Sequence, residues 1–134
     1  MARFVRNGAD KRAGASYSLA RAFANAGAGV AYAFRTQRNL RIDAAFAVLA
    51  VVLGFAFRID VSSWLAIIVC IGMVCALEVV NTAIESAIDL VSPEYHELAR
   101  RAKDCAAGAA LIAAISSVAV AAVVFIPKIG ELLC

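Results

Sequence analysis

Between Cys105 and Pro127 the chain reads CAAGAALIAAISSVAVAAVVFIP, an apolar stretch without one charged residue. A helix that crosses the ~30 Å hydrocarbon core of a bilayer needs about 20 such residues, so this stretch is predicted to span a membrane. Lipid offers no partner to backbone N–H and C=O groups, and a continuous apolar run satisfies them internally only as a helix. Ala106, Ala107, Gly108, Ala109 and Ala110 give its start a small-residue surface suited to close helix contact.

Two further runs lie upstream. Val61–Leu77 is free of charge and continues as an apolar helical pattern carrying Glu78 and Glu85. It spans the bilayer provided those carboxylates face protein or a wet cavity. Ala44–Phe57 is short and must take in Leu40–Asp43, its charged ends snorkelling to the headgroups. The whole composition agrees: 63% of the 134 residues are hydrophobic, the mean hydropathy is +0.84, and soluble domains carry roughly 45–50% apolar residues. The chain is also too short for two ordinary domains. No secretory signal pattern opens it, since the charged start is long and no apolar core with a cleavage site follows.

Basic residues set the orientation. Arg3, Arg6, Lys11, Arg12, Arg21, Arg35, Arg38 and Arg41 precede the first run, and Arg100, Arg101 and Lys103 follow the second. Only Arg58 lies in the first connection and only Lys128 in the tail. The amino terminus and the loop between spans two and three are therefore expected in the cytoplasm. Cys70, Cys75, Cys105 and Cys134 lack metal-ligand spacing and read as small packing residues.

The expected organisation is a disordered basic arm over 1–15, an amphipathic surface helix over 16–36, a three-span domain over 37–129 and a short tail over 130–134. In the surface helix, Leu19, Phe23, Val30 and Phe34 recur at helical spacing while Arg21, Asn25, Tyr32 and Arg35 fall elsewhere. Such a segment lies in the cytoplasmic interface; packing only on the protein's own spans is the alternative. Arg58–Ser63 predicts a tight turn, with Trp64 at the opposite interface. Ser92-Pro93 predicts the start of the last helix, a hydroxyl cap followed by proline at the first helical position.

The chemistry concentrates at the end of span two. Glu78, Asn81, Glu85 and Asp89 follow one another at steps of three, four and four residues, which places them within a ~80° arc of one helix face. Ionisable groups inside a membrane are costly and usually mark a functional site. Structural pairing with Arg41 or Lys103 is the plainer explanation, but one or two acids would suffice for that. On the cytoplasmic helix His96, Arg100 and Lys103 share a face, and Glu97–Arg101 has the spacing of an ordinary surface pair. An anionic stripe beside cations suits polyphosphate chemistry, in which carboxylates hold Mg²⁺ and a lysine meets the phosphates. The sequence has no phosphate-binding glycine loop and no protein-kinase motif, so ATP would have to be held by helix ends.

The segments EVVNTAIESAID, from Glu78 to Asp89, and YHELARRAKD, from Tyr95 to Asp104, closely resemble the small prokaryotic diacylglycerol kinase family, which includes the undecaprenol kinases. Arg38-Asn39-Leu40-Arg41-Ile42 fits the same pattern, and the likeness covers about 22–129. The resemblance implies an all-α membrane protein of three transmembrane helices plus an N-terminal surface helix, assembled as a homotrimer. It also implies MgATP-dependent phosphorylation of a membrane lipid alcohol, undecaprenol or diacylglycerol. Carried over by position, Glu78 is the catalytic base and Asn81 organises the site, while Glu85 is a metal ligand. Glu94, His96, Lys103 and Asp104 are ATP-side residues; Asn39, Arg41 and Asp89 support them. Two positions depart from the family. Gln37 stands at the second metal-binding glutamate, and Asp43 stands where many relatives have histidine. The Phe125–Ile129 ending and Arg38-Asn39 lean toward the undecaprenol branch. A rival from another class is a small proton-coupled exporter using Glu78 or Glu85 as its titrating carboxylate, and a purely structural membrane subunit is a third.

Overall fold

The structure, a computed structural model, describes residues 19–133. The expected basic arm over 1–15 lies outside the described residues, as do residues 16–18 and Cys134. Within them the chain is all helical: α1 Leu19–Thr36, α2 Arg38–Ala56, α3 Val61–Val91 and α4 Glu97–Leu133. Helices α2, α3 and α4 are each long and apolar enough to cross a membrane. At 1.5 Å per residue, α3 extends about 46 Å and α4 about 55 Å. Both exceed a ~30 Å core, so each carries part of its length beyond the hydrocarbon.

The turn between α2 and α3 is closed by its own backbone. Arg58 N–H donates to Phe55 C=O at 3.2 Å and Ile59 N–H to Gly54 C=O at 3.1 Å. This is the paired bonding of a helix ending in a left-handed residue, and Arg58 occupies that position with φ 47°. Asp60 then caps α3, its carboxylate accepting from the N–H groups of Ser62 and Ser63 at 2.9 and 3.1 Å. The Ser62 hydroxyl above all, then that of Ser63, holds the Asp60 carboxyl well below the usual carboxylate range. Gly54 makes room here. A Cβ on it would stand 2.8 and 2.9 Å from the Trp64 ring, which packs on Phe55 with centroids 4.8 Å apart.

The core at this end gathers Ile59, Ile67 and Phe125, joining the α2–α3 turn to the far end of α4. Helices α3 and α4 make the most extensive packing in the chain. Ala106, Ala110 and Ala113 of α4 are buried, so part of the small-residue surface does serve close helix contact, whereas Ala107 and Ala109 face outward. Large apolar side chains elsewhere on the spans remain exposed in the single chain, Phe46, Phe55, Ile68 and Val123 among them. Burial of that surface requires lipid or further copies.

One expectation fails. The last helix does not begin at Ser92-Pro93 but at Glu97, capped by His96, whose Nδ1 accepts from Leu98 N–H at 3.2 Å. Ser92 belongs to the end of α3 instead: its N–H donates to Ile88 C=O at 2.8 Å and its hydroxyl to Glu94 C=O at 3.1 Å. The Ser92 hydroxyl donates within the loop, and the N–H at the start of α4 is taken by His96 instead. Helix α4 also runs through Pro127 to Leu133, so residues 130–133, expected as a short tail, are helical. Pro127 has no N–H to give the Val123 carbonyl, so the helix continues past it with one bond fewer.

Candidate active site

The C-terminal half of α3 carries the site. Its apolar face turns inward along most of the helix, and where that face reaches Glu78, Asn81 and Thr82 the polar side chains are buried with it, at 7%, 7% and 4% exposure. Burying such groups costs free energy unless they find partners. Thr82 finds one by donating to the Glu78 backbone carbonyl at 2.8 Å. Asn81 finds half of what it needs. Its Nδ2 donates to Glu85 Oε1 at 3.3 Å, while its Oδ1 is buried with no partner among the described residues.

Glu85 sits one turn beyond Asn81, half-buried. Gln37 reaches it from 48 residues away in sequence, its Nε2 donating to Glu85 Oε2 at 2.9 Å. Gln37 is the one residue between α1 and α2, in an extended conformation with φ −97° and ψ 119°, and its side chain gives α2 no cap. Both carboxylate oxygens of Glu85 thus accept from amide nitrogens. Gln37, Asn81 and Glu85, separate predictions from the sequence, form one hydrogen-bonded cluster of hard oxygen and nitrogen groups. A cation bound there would find the Glu85 carboxylate together with the amide oxygen of Asn81. Among the described residues no group of three or more His, Cys, Asp or Glu side chains is placed to hold a metal. Mg²⁺, however, is commonly held by one or two carboxylates with substrate phosphates and water, and the donor set here fits that pattern.

Asp89 pairs across the α3–α4 gap with Lys103; the Asp89 side chain is largely exposed and that of Lys103 about a third exposed. The remaining nucleotide-side candidates are engaged close to home. Asp104 accepts from Arg100 at 2.8 Å, and Glu97 holds Arg100 and Arg101, each at 2.9 Å. His96 caps α4, and Glu94 offers its backbone carbonyl to Ser92. Of the supporting residues, Arg41 donates to the Arg35 carbonyl at 3.2 Å, closing the end of α1 rather than meeting a carboxylate. Asn39 is exposed on the first turn of α2.

A cavity of about 470 Å³ opens between α2, α3 and α4, lined by apolar side chains including Phe46, Leu53, Ile71, Val74 and Phe125. Among the described residues lining it, Asp43 carries the one charge. Sequence reasoning missed two parts of this arrangement. Thr82 was passed over although it stands four residues after Glu78 on the same face, and Asp43 was noted as a departure without a place in the site.

Comparison with known proteins bears on what this arrangement does. A sequence model of the family described as prokaryotic diacylglycerol kinase matches residues 24–125. The undecaprenol kinase of Bacillus subtilis (strain 168) is 38% identical over 109 residues, 81% of this chain and 89% of that protein. A diacylglycerol kinase of Synechocystis is 42% identical over 112 residues, 83% of this chain and 64% of that protein. The diacylglycerol kinase of Escherichia coli (strain K12) is 34% identical over 90 residues, 67% of this chain and 74% of that protein.

Proposed function

The chain belongs to the prokaryotic diacylglycerol kinase family and is a membrane lipid kinase; on that premise we propose that it transfers the γ-phosphate of ATP to the hydroxyl of undecaprenol or diacylglycerol. The reaction takes place at the cytoplasmic face of the prokaryotic inner membrane, in a homotrimer. Neither the family match nor the relatives lend support to the exporter that the carboxylates alone had left open.

The observation that carries this reading is the burial of Glu78 beside Asn81 and Thr82, with Glu85 seven residues further along the same helix. Seven residues place Glu78 about 10 Å deeper than Glu85. A lipid alcohol enters from the bilayer, and phosphate enters from water, so the acids lie in the order that transfer between them needs. Glu78 is the general base, taking the proton of the lipid hydroxyl as it attacks phosphorus. Thr82 ties to the Glu78 backbone carbonyl, and Asn81 steadies Glu85. The apolar cavity under Asp43 supports the lipid side of the reading, since it offers hydrocarbon a place between the spans.

On the phosphate side, Glu85 with the amide oxygen of Asn81 would hold Mg²⁺, and Gln37, expected from the resemblance as a second ligand, would yield its place at Glu85 to the ion. Bound there, Mg²⁺ neutralises charge on the nucleotide phosphates. Lys103 exchanges Asp89 for a phosphate oxygen; a solvent-exposed ion pair is worth little and does not hold it back. Asp104, Glu94 and His96 frame the nucleotide from the loop and the first turns of α4. Helix α1 lies in the cytoplasmic interface with Leu19, Phe23 and Val30, all exposed in the single chain, against acyl chains. The excess of arginine and lysine on the same side supports the orientation.

The test is purified protein in bilayers of defined lipid, supplied with MgATP and either undecaprenol or diacylglycerol. ATP consumption that appears only with lipid alcohol is expected, with undecaprenol favoured. Consumption independent of both alcohols, or none with either, contradicts the proposal.

A further inference from the structure

The joint between α1 and α2 is one residue long, and that residue holds Glu85. A carboxylate only accepts hydrogen bonds, so the Gln37 amide must present its NH₂ to Oε2 while Asn81 presents its own to Oε1. The backbone of Gln37 is committed as well, its N–H donating to Ala33 C=O at 2.8 Å. Ala33 is the buried anchor of α1, at 1% exposure. The joint is therefore fixed at two points, its backbone to α1 and its side chain to α3.

A cation at Glu85 wants the same carboxylate oxygens that the two NH₂ groups now occupy, and NH₂ hydrogens repel it. One protein carboxylate with two neutral amides is a weak magnet for a hard divalent ion, which takes its remaining ligands from phosphate oxygens and water. Those anions arrive with the nucleotide. Asn81 Oδ1, buried and without a partner among the described residues, is the oxygen that meets the cation when its amide turns.

We propose that the Gln37–Glu85 hydrogen bond is a latch that a divalent cation opens only in company with nucleotide, and that opening it frees the α1–α2 joint from α3. The inference rests on the lipid-kinase reading and adds an order of events to it: the cation does not wait in the site but comes with ATP, and its arrival is felt at the surface helix. Gln37, with its neutral side chain, is what makes the order obligatory. A glutamate there would repel the Glu85 carboxylate and draw a cation between them without help.

The experiment uses the full chain in nanodiscs, with Mn²⁺ as the cation probe followed by the electron-spin signal of the free ion, and a non-hydrolysable ATP analogue. Backbone hydrogen exchange over residues 33–41 reads the joint. In the wild type, Mn²⁺ should bind at least about tenfold more tightly with the analogue than without it. Exchange over 33–41 should rise with the two together and not with Mn²⁺ alone. Gln37→Glu should bind Mn²⁺ without nucleotide, several-fold more tightly than the wild type does. Gln37→Met, which has no hydrogen bond to lose, should show the raised exchange from the outset and no further response. Wild-type binding of Mn²⁺ alone as tightly as with the analogue overturns the proposal, and so does exchange over 33–41 that stays constant while Mn²⁺ and analogue bind. Failure of the kinase reading looks different, because the analogue then binds in no state.

Discussion

Removing the Lys103 ammonium, as in Lys103→Ala, should raise the ATP concentration needed for half-maximal activity by about tenfold. In the resting chain Lys103 pairs with Asp89, but the two side chains are 36% and 66% exposed. Screening by water and salt leaves such a pair at about 0.2–1 kcal/mol. A charge-assisted bond to phosphate contributes about 1.5–3 kcal/mol. The variant loses the second in the complex and the first in the free enzyme, so the net effect on ATP binding is about 0.5–3 kcal/mol, with tenfold at 1.4 kcal/mol. Asp89→Asn removes only the resting competitor and should change ATP affinity by no more than about fivefold, the factor that 1 kcal/mol allows. The assay is an ATP titration of lipid phosphorylation in bilayers at saturating Mg²⁺ and lipid alcohol. Unchanged half-saturation together with unchanged turnover in Lys103→Ala would show that the residue only anchors α4 at the membrane entrance.

Glu85→Gln should abolish phosphorylation and lower the stability of the cation-free protein by only about 1 kcal/mol, because it removes the site's charge and one of the two hydrogen bonds from Gln37 and Asn81. Retention of more than about a tenth of wild-type turnover at saturating Mg²⁺ speaks against Glu85 as a ligand. Gly54→Ala should lower thermal stability in detergent by about 1–3 kcal/mol, since its Cβ would stand 2.8 Å from the Trp64 ring; a neutral outcome would mean the ring moves aside freely. Arg58→Gly should stabilise slightly by relieving a left-handed residue at φ 47°. The ~1 kcal/mol relief is partly offset by the freedom glycine adds to the unfolded chain, and a loss of stability would contradict that account of the turn.

Which parts of this molecule the sequence revealed follows from how local each signal is. The spans were legible because the absence of charge over a bilayer's thickness is a property of contiguous residues, and α2, α3 and α4 lie where those runs fall. The face shared by Glu78, Asn81 and Glu85 was legible because helical periodicity alone fixes it. The start of α4 was misread because Ser92-Pro93 is a good beginning for a helix considered by itself. Its outcome depended on α3 continuing to Val91 and taking the Ser92 N–H, and on a histidine that sequence rules seldom offer as a cap. The contact between Gln37 and Glu85 joins residues far apart, so no local pattern could carry it. Only the resemblance suggested that the two meet, and it did not say that the amide would present nitrogen. Thr82 escaped notice because a small hydroxyl on an apolar helix looks like packing until its bond to Glu78 is seen.

The central claim is that a buried acid on α3 takes the proton of a lipid hydroxyl while ATP is held nearer the water. Single-turnover transfer of labelled γ-phosphate to undecaprenol, compared between wild type and Glu78→Gln in the same bilayers, tests it most directly. General-base catalysis contributes about 10²–10⁴-fold, so transfer should slow by at least about a hundredfold while the half-saturating ATP concentration stays within about twofold of wild type. Transfer at close to the wild-type rate, or a collapse of ATP affinity with transfer spared, would remove Glu78 from the lipid side of the reaction.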